Sequence, residues 1–222
     1  MSAFAKSAFA VSTLSAAKGI GDADGIYGPV QLQTDGWQEC IDEWSRVRKN
    51  WRSEGLIASP YMKSAHAYSE ACRRLALQPA LVAAAGQLIG SDDLILATMS
   101  VLFKPAGWEH RWHTDIENTI DQARCNDSSW TAWLPLSGAS NSSTMLMVTN
   151  THGSSDFAQT LVARSICSQC KECASLRGAD HPSCPSIAER GSRLRAMARE
   201  RGFADAELVA LAAADGGAWL FR

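Results

Sequence analysis

Apolar residues recur every three or four positions along Trp37–Trp51, at Trp37, Cys40, Ile41, Trp44, Val47 and Trp51. That period places them on one face of a helix, and an aromatic stripe of this kind faces a core. Ser64–Leu77 and Pro79–Ile89 predict two more helices, the second bounded by Pro79 in its first turn and Gly90 at its end. Beyond Gly90 the pattern changes. Leu94–Lys104 (LILATMSVLFK), Trp130–Leu136 and Thr144–Thr149 predict strands. Pro105–Gly107 closes the first, and the turn-forming run Ser137–Ser143 separates the other two. Gly21–Gly28 (GDADGIYG) reads as a turn-rich separator. Ser154 to about Ala213 reads as helical and charged, and Gly216–Arg222 (GGAWLFR) as a last strand. Helices, then strands, then a helical insertion, then a strand predict an α+β protein whose strand-built core carries helices outside.

Composition narrows the setting. The 222 residues are 46% hydrophobic and 20% charged, which suits one large globular domain. With 21 basic and 23 acidic residues there is no general nucleic-acid or anionic-membrane footprint. The longest apolar stretches, Leu81–Gly90 and Leu208–Ala214, fall well short of the roughly 18 residues of a membrane span. Seven cysteines are an odd number, and four of them crowd into Cys167–Cys184. That is no secreted disulfide scaffold, so the expected setting is intracellular and reducing, with the cytoplasm first. Cys40 and Cys72 fall on helix faces as small core fillers. Met1–Gly21 holds Lys6 and Lys18 but no acid, and reads either as a frayed leader or as an organelle-targeting segment. The basic run Arg190–Arg201 (RGSRLRAMARER) reads as a solvated helix face.

The sharpest chemical signal is His113-Thr114-Asp115, directly after Trp112. In extended backbone, residues two apart point to the same side, so an imidazole and a carboxylate converge. Those are two of the three donors of the 2-His-1-carboxylate triad that holds Fe(II) on one octahedral face. The motif alone is short and recurs by chance; its plain alternative is a histidine hydrogen-bonded to a nearby acid.

The surrounding segments are more specific in their order than any one of them. Ser100–Lys104 with Pro105 and Gly107, leading into Trp112–Glu117, resembles the phytanoyl-CoA dioxygenase family, where a strand ending in Lys-Pro precedes a W-H-x-D segment. Trp130-Thr131-Ala132 resembles that family's next core strand. Met145–His152 (MLMVTNTH) resembles its L-x-V-I-P-G-S-H segment, and Ala214–Phe221 (ADGGAWLF) its G-D-A-L-L-F strand. The resemblance covers roughly Pro79–Gly153 and the last nine residues.

It implies a double-stranded β-helix (jelly-roll, cupin-like) domain over residues 22–222, with flanking N-terminal helices and residues 154–213 as a helical, Cys-rich insertion. It also implies an Fe(II)/2-oxoglutarate-dependent dioxygenase. Such an enzyme uses O2 to hydroxylate a small organic or acyl substrate and releases succinate and carbon dioxide. His113 and Asp115 would be the iron ligands, and Ser100 and Trp130 would line the 2-oxoglutarate pocket. Thr149-Asn150 replaces the family's Pro-Gly before the turn histidine. The family's distal ligand histidine and its 2-oxoglutarate arginine lie just after the last strand, so the resemblance implies a C-terminally incomplete chain that is inactive by itself. A catalytically dead relative with a binding or structural role is the alternative. His152 matches the family's non-ligand histidine; His66, predicted at a helix surface, His110 and His181 fit the third position poorly.

A second cluster, Cys167-x2-Cys170-x2-Cys173 followed by Cys184-Pro185, lies in the insertion. Four thiols at such spacing can hold structural zinc tetrahedrally and would make the chain a zinc-bearing interaction module. The run also partly matches an iron–sulfur pattern, although its last gap is far too long. A loop with solvated thiols is the plain reading.

Overall fold

A computed structural model describes residues 15–16, 25–54, 61–103, 112–113, 115, 129–137, 139, 144–152, 186–211 and 216–222. Residues 1–14 and 17–21 of the expected leader, and Cys167, Cys170, Cys173 and Cys184, lie outside them. In chain order the elements are β1 (Ser15–Ala16), β2 (Ile26–Gln31), α1 (Trp37–Ser53), β3 (Tyr61–Met62), α2 (Ala65–Tyr68), α3 (Glu70–Ala76) and α4 (Pro79–Ile89). There follow β4 (Val101–Leu102), β5 (Thr131–Trp133), β6 (Leu146–Val148), α5 (Ile187–Glu200), β7 (Leu208–Ala210) and β8 (Gly217–Phe221).

Two three-stranded sheets organise the molecule, with orders β2-β8-β5 and β1-β7-β6, beside a short β3-β4 ladder. β8 lies antiparallel between β2 and β5, so that Ile26 and Thr131 both pair with Phe221. Its side chains alternate between faces, as strand geometry requires. Ala218 and Leu220 join a core with Trp37, Cys40 and Trp44 of α1, Cys72 and Leu75 of α3, and Leu81 and Ala84 of α4. Trp219 and Phe221 turn the other way, onto Val209 of β7 and Met147 of β6. The two sheets thus pack face to face. Helices α1, α3 and α4 cover the outside of one sheet. Helix α5 covers the other, packing on β6 and β7. The described strands form mixed α and β structure with small sheets, and they trace no closed double-stranded β-helix.

Local chemistry sets the helix ends. In α4, Pro79 occupies the first turn, where its missing N–H costs nothing, and Gly90 closes the helix at φ 73°. The predicted helix Ser64–Leu77 is divided into α2 and α3. Ser69 is extended there (φ −117°, ψ 116°), and its Oγ accepts from Cys72 N at 3.1 Å as the N-cap of α3. A capping serine offers the backbone an alternative to continuing the helix. Within the predicted strand Leu94–Lys104, the described residues form a strand only at Val101–Leu102, paired with β3, and Ala65 opens α2 just beyond Met62.

Among the described residues, no helix is long and apolar enough to cross a membrane.

Candidate metal site

Trp112 sits against α5. The Trp112 indole Nε1 donates to the Ile187 carbonyl at 3.0 Å, in the first turn of that helix. Its ring lies over Gly191: a Cβ there would come within 2.5 Å of Trp112 Cζ2 and 2.9 Å of Leu208 Cδ1. Only a residue without a side chain allows that approach. Leu208 in turn pairs with Val148, so the segment docks where β7 begins and β6 ends.

The helix beneath it is well started. Ser186 and Glu189 form a capping box: Glu189 N donates to Ser186 Oγ at 3.3 Å, and Ser186 N donates to Glu189 Oε2 at 2.7 Å. The bonds that the carboxylate accepts, from Ser186 N and from Ser186 Oγ at 2.9 Å, hold the Glu189 carboxyl below its ordinary pKa.

His113 Nε2 and Asp115 Oδ1 stand 3.6 Å apart, with side chains 34% and 43% exposed. The predicted convergence of imidazole and carboxylate is therefore present, and solvent reaches both. A direct hydrogen bond would be shorter than this separation. Two donors at right angles on one octahedral ion stand about 3 Å apart when each bond is about 2.1 Å. About half an ångström of closure would bring this pair onto one ion. The nitrogen–oxygen donor set fits two corners of an iron site. Among the described residues, no third His, Cys, Asp or Glu joins them to form a metal-holding group.

The remaining candidates are dispersed. Ser100 is exposed just ahead of β4. Trp130 is half-buried just ahead of β5, packed on the helix-side core. Its Nε1 is buried without an acceptor among the described residues, and the Arg222 guanidinium lies 5.3 Å from its ring centroid. His66 is half-buried in α2 rather than at the surface.

His152 ends the turn after β6, and its ring packs on Gly25, where a Cβ would meet Nδ1 at 2.6 Å. Gly25 also accepts from Arg222 N at 3.2 Å, which gathers Gly25, Arg222 and Trp130 at one end of the β2-β8-β5 sheet. Sequence reading missed Gly25 and Gly191, whose roles depend on long-range contacts. The turn Thr149-Asn150 holds a left-handed residue. Asn150 adopts φ 57°, and its side-chain amide donates to the Asp205 carbonyl at 3.0 Å. Asn is among the few residues other than Gly that enter this region readily.

A cleft of about 560 Å³ lies elsewhere, lined by residues from the β2–α1 turn, α1, α3 and the start of α4, among them Glu39, Ala71, Arg73 and Arg74. It shares no lining residue with the pair.

The chain matches no family model, no curated protein and no solved structure.

Proposed function

We propose that the chain is an Fe(II)/2-oxoglutarate-dependent dioxygenase of the phytanoyl-CoA dioxygenase type, acting on a small organic or acyl substrate. The observation that carries this reading is the approach of His113 Nε2 to Asp115 Oδ1 on a segment pinned by Trp112. In this reading those two atoms hold two coordination positions of the metal. Bound iron and 2-oxoglutarate supply the oxidising power for C–H hydroxylation, with succinate and carbon dioxide released.

The chain's own residues bind and orient. The buried Trp130 Nε1–H is a donor suited to a carboxylate oxygen, with the Arg222 charge against the same ring. Trp130 is thus the better of the two proposed cosubstrate contacts, and Ser100 the weaker.

The test is anaerobic titration with Fe(II) in the presence of 2-oxoglutarate, followed by a 2-oxoglutarate decarboxylation assay on the full-length protein. Expected are a visible charge-transfer band and turnover, both lost in His113→Ala. Absence of both from the unaltered protein, or turnover that survives His113→Ala, overturns the reading.

A further inference from the structure

The segment between α4 and the end of β4 has the composition of a strand and little of the pairing. Leu94–Phe103 (LILATMSVLF) contains no charge, Gly or Pro, and its Ile95, Thr98, Val101 and Phe103 are strong strand formers. Only Val101–Leu102 is paired, to β3, and Ala65 N donates to the Met99 carbonyl at 3.0 Å. Among the described residues, Leu94–Thr98 make no backbone hydrogen bond. The side chains are open to water as well. Ile95 is 90% exposed, more than any other large apolar residue described, and Leu102 and Phe103 are exposed with it.

An exposed strand edge of this kind recruits another strand, and proteins ordinarily block such edges with charge, Pro or a bulge. Strand β2, also at an edge, has Pro29 and a shifted register. Leu94–Phe103 carries neither proline nor charge, and its charges stand at the two ends instead. Asp92 and Asp93 precede it, exposed and in no ion pair among the described residues. Lys104 follows it in sequence, and the Arg48 guanidinium lies 4.0 Å from the Phe103 ring centroid.

We propose that Leu94–Leu102 is a self-pairing edge, on which two copies of this chain meet as antiparallel strands. The charge pattern selects this occupant. Antiparallel pairing of the segment with its own copy lays the acidic end of each against the basic end of the other, twice across one two-fold axis. A parallel pair would set acid on acid. Strand β3 already takes one edge of β4, so the second copy takes the other. The unpaired backbone of Leu94–Thr98 gains a ladder, and Ile95 leaves water for the facing strand. The contact is one short strand pair, so the dimer is weak and concentration-dependent.

The experiment uses the whole chain. Sedimentation velocity is run from low to high micromolar concentration, and hydrogen–deuterium exchange is followed at both ends of that range. Expected are a rise in mass from one copy to two and, at the high end, exchange slowed several-fold at Leu94–Thr98 but unchanged in α1. Ile95→Lys should hold the chain at one copy throughout. Ile95 meets solvent over nearly all its surface, so this change spares the fold. Asp92→Lys combined with Asp93→Lys should weaken self-association several-fold, and more at low salt than at high. One copy at every concentration overturns the proposal. So does a dimer that Ile95→Lys leaves intact, or one in which Leu94–Thr98 exchange no more slowly than in the single copy. A double-lysine variant that associates as tightly as the unaltered chain overturns the antiparallel arrangement. The exchange measurement needs no variant, so it decides the matter by itself.

Discussion

Trp112 rests on Gly191. The indole ring occupies the space where any side chain at 191 would stand, and its N–H is bonded to the Ile187 carbonyl one turn earlier. A helix distant in sequence is therefore the floor of the His113–Asp115 segment. Alanine at 191 would gain about 1 kcal/mol of helix propensity. It would lose more, because overpacking against a fixed ring typically costs about 1–3 kcal/mol. Gly191→Ala should thus shift the urea midpoint downward. Trp112→Phe keeps a ring but leaves the Ile187 carbonyl without its donor, a loss of about 1 kcal/mol. A Gly191→Ala midpoint above that of the unaltered protein would remove the contact from the account.

Asn150 holds the turn between β6 and His152. At φ 57° an ordinary side chain costs about 1–2 kcal/mol, and Asn150 adds a bond to the Asp205 carbonyl. Asn150→Ala should therefore lose about 2 kcal/mol in denaturant unfolding, through strain and the missing bond together. Asn150→Gly relieves the strain and gives up only the bond, so its loss should stay within about 1 kcal/mol. The order Asn, Gly, Ala is the check. Alanine equal to glycine would show that the turn does not demand this conformation.

What the sequence made legible is what is written locally. The face of α1 and the Pro79 and Gly90 boundaries of α4 follow from spacing and punctuation within a few residues. Strand β2 did not, because Gly28 and Pro29 stand inside it and argue for a turn. It is an edge strand with a register shift between Tyr27 and Val30, which is where a sheet tolerates both. Strand β7 lies within the stretch whose pattern predicts helix. Its residues are buried on both faces, between α5 and the opposite sheet, so no alternation marks them. At the site, the convergence of His113 and Asp115 could be read from a two-residue spacing. The dependence of that segment on Gly191 could not, since it joins residues almost eighty positions apart through packing alone.

The capping box of α5 predicts an acid-sensitive contribution to stability. Glu189 receives bonds from the Ser186 backbone and side chain, and its carboxyl pKa is lowered from 4.5 in the folded protein. A depressed carboxyl contributes stability that is fully present above the unfolded value. That contribution is lost as pH falls through the lower folded value. Glu189→Gln should therefore be less stable than the unaltered protein at neutral pH, and the gap should close below the carboxylate range. Thermal unfolding of both proteins across that interval checks it. A gap that stays constant with pH would show that the glutamate's charge contributes nothing.

If His113 and Asp115 share one ion, their losses cannot be independent. Each single substitution, His113→Ala or Asp115→Ala, should weaken Fe(II) binding by more than the roughly 10–100-fold that follows loss of an outer-shell partner. The double variant should lose far less than the product of the two, because the first substitution already dismantles the site that the second would damage. Asp115→Glu tests geometry. The carboxylate stays, but one added methylene carries it away from the 3.6 Å approach to His113, so affinity should fall between the unaltered protein and Asp115→Ala. Fe(II) titration of the four variants gives the coupling directly. Losses that multiply would place the two side chains on separate ions or on none, and the shared-metal reading of this segment would fall with them.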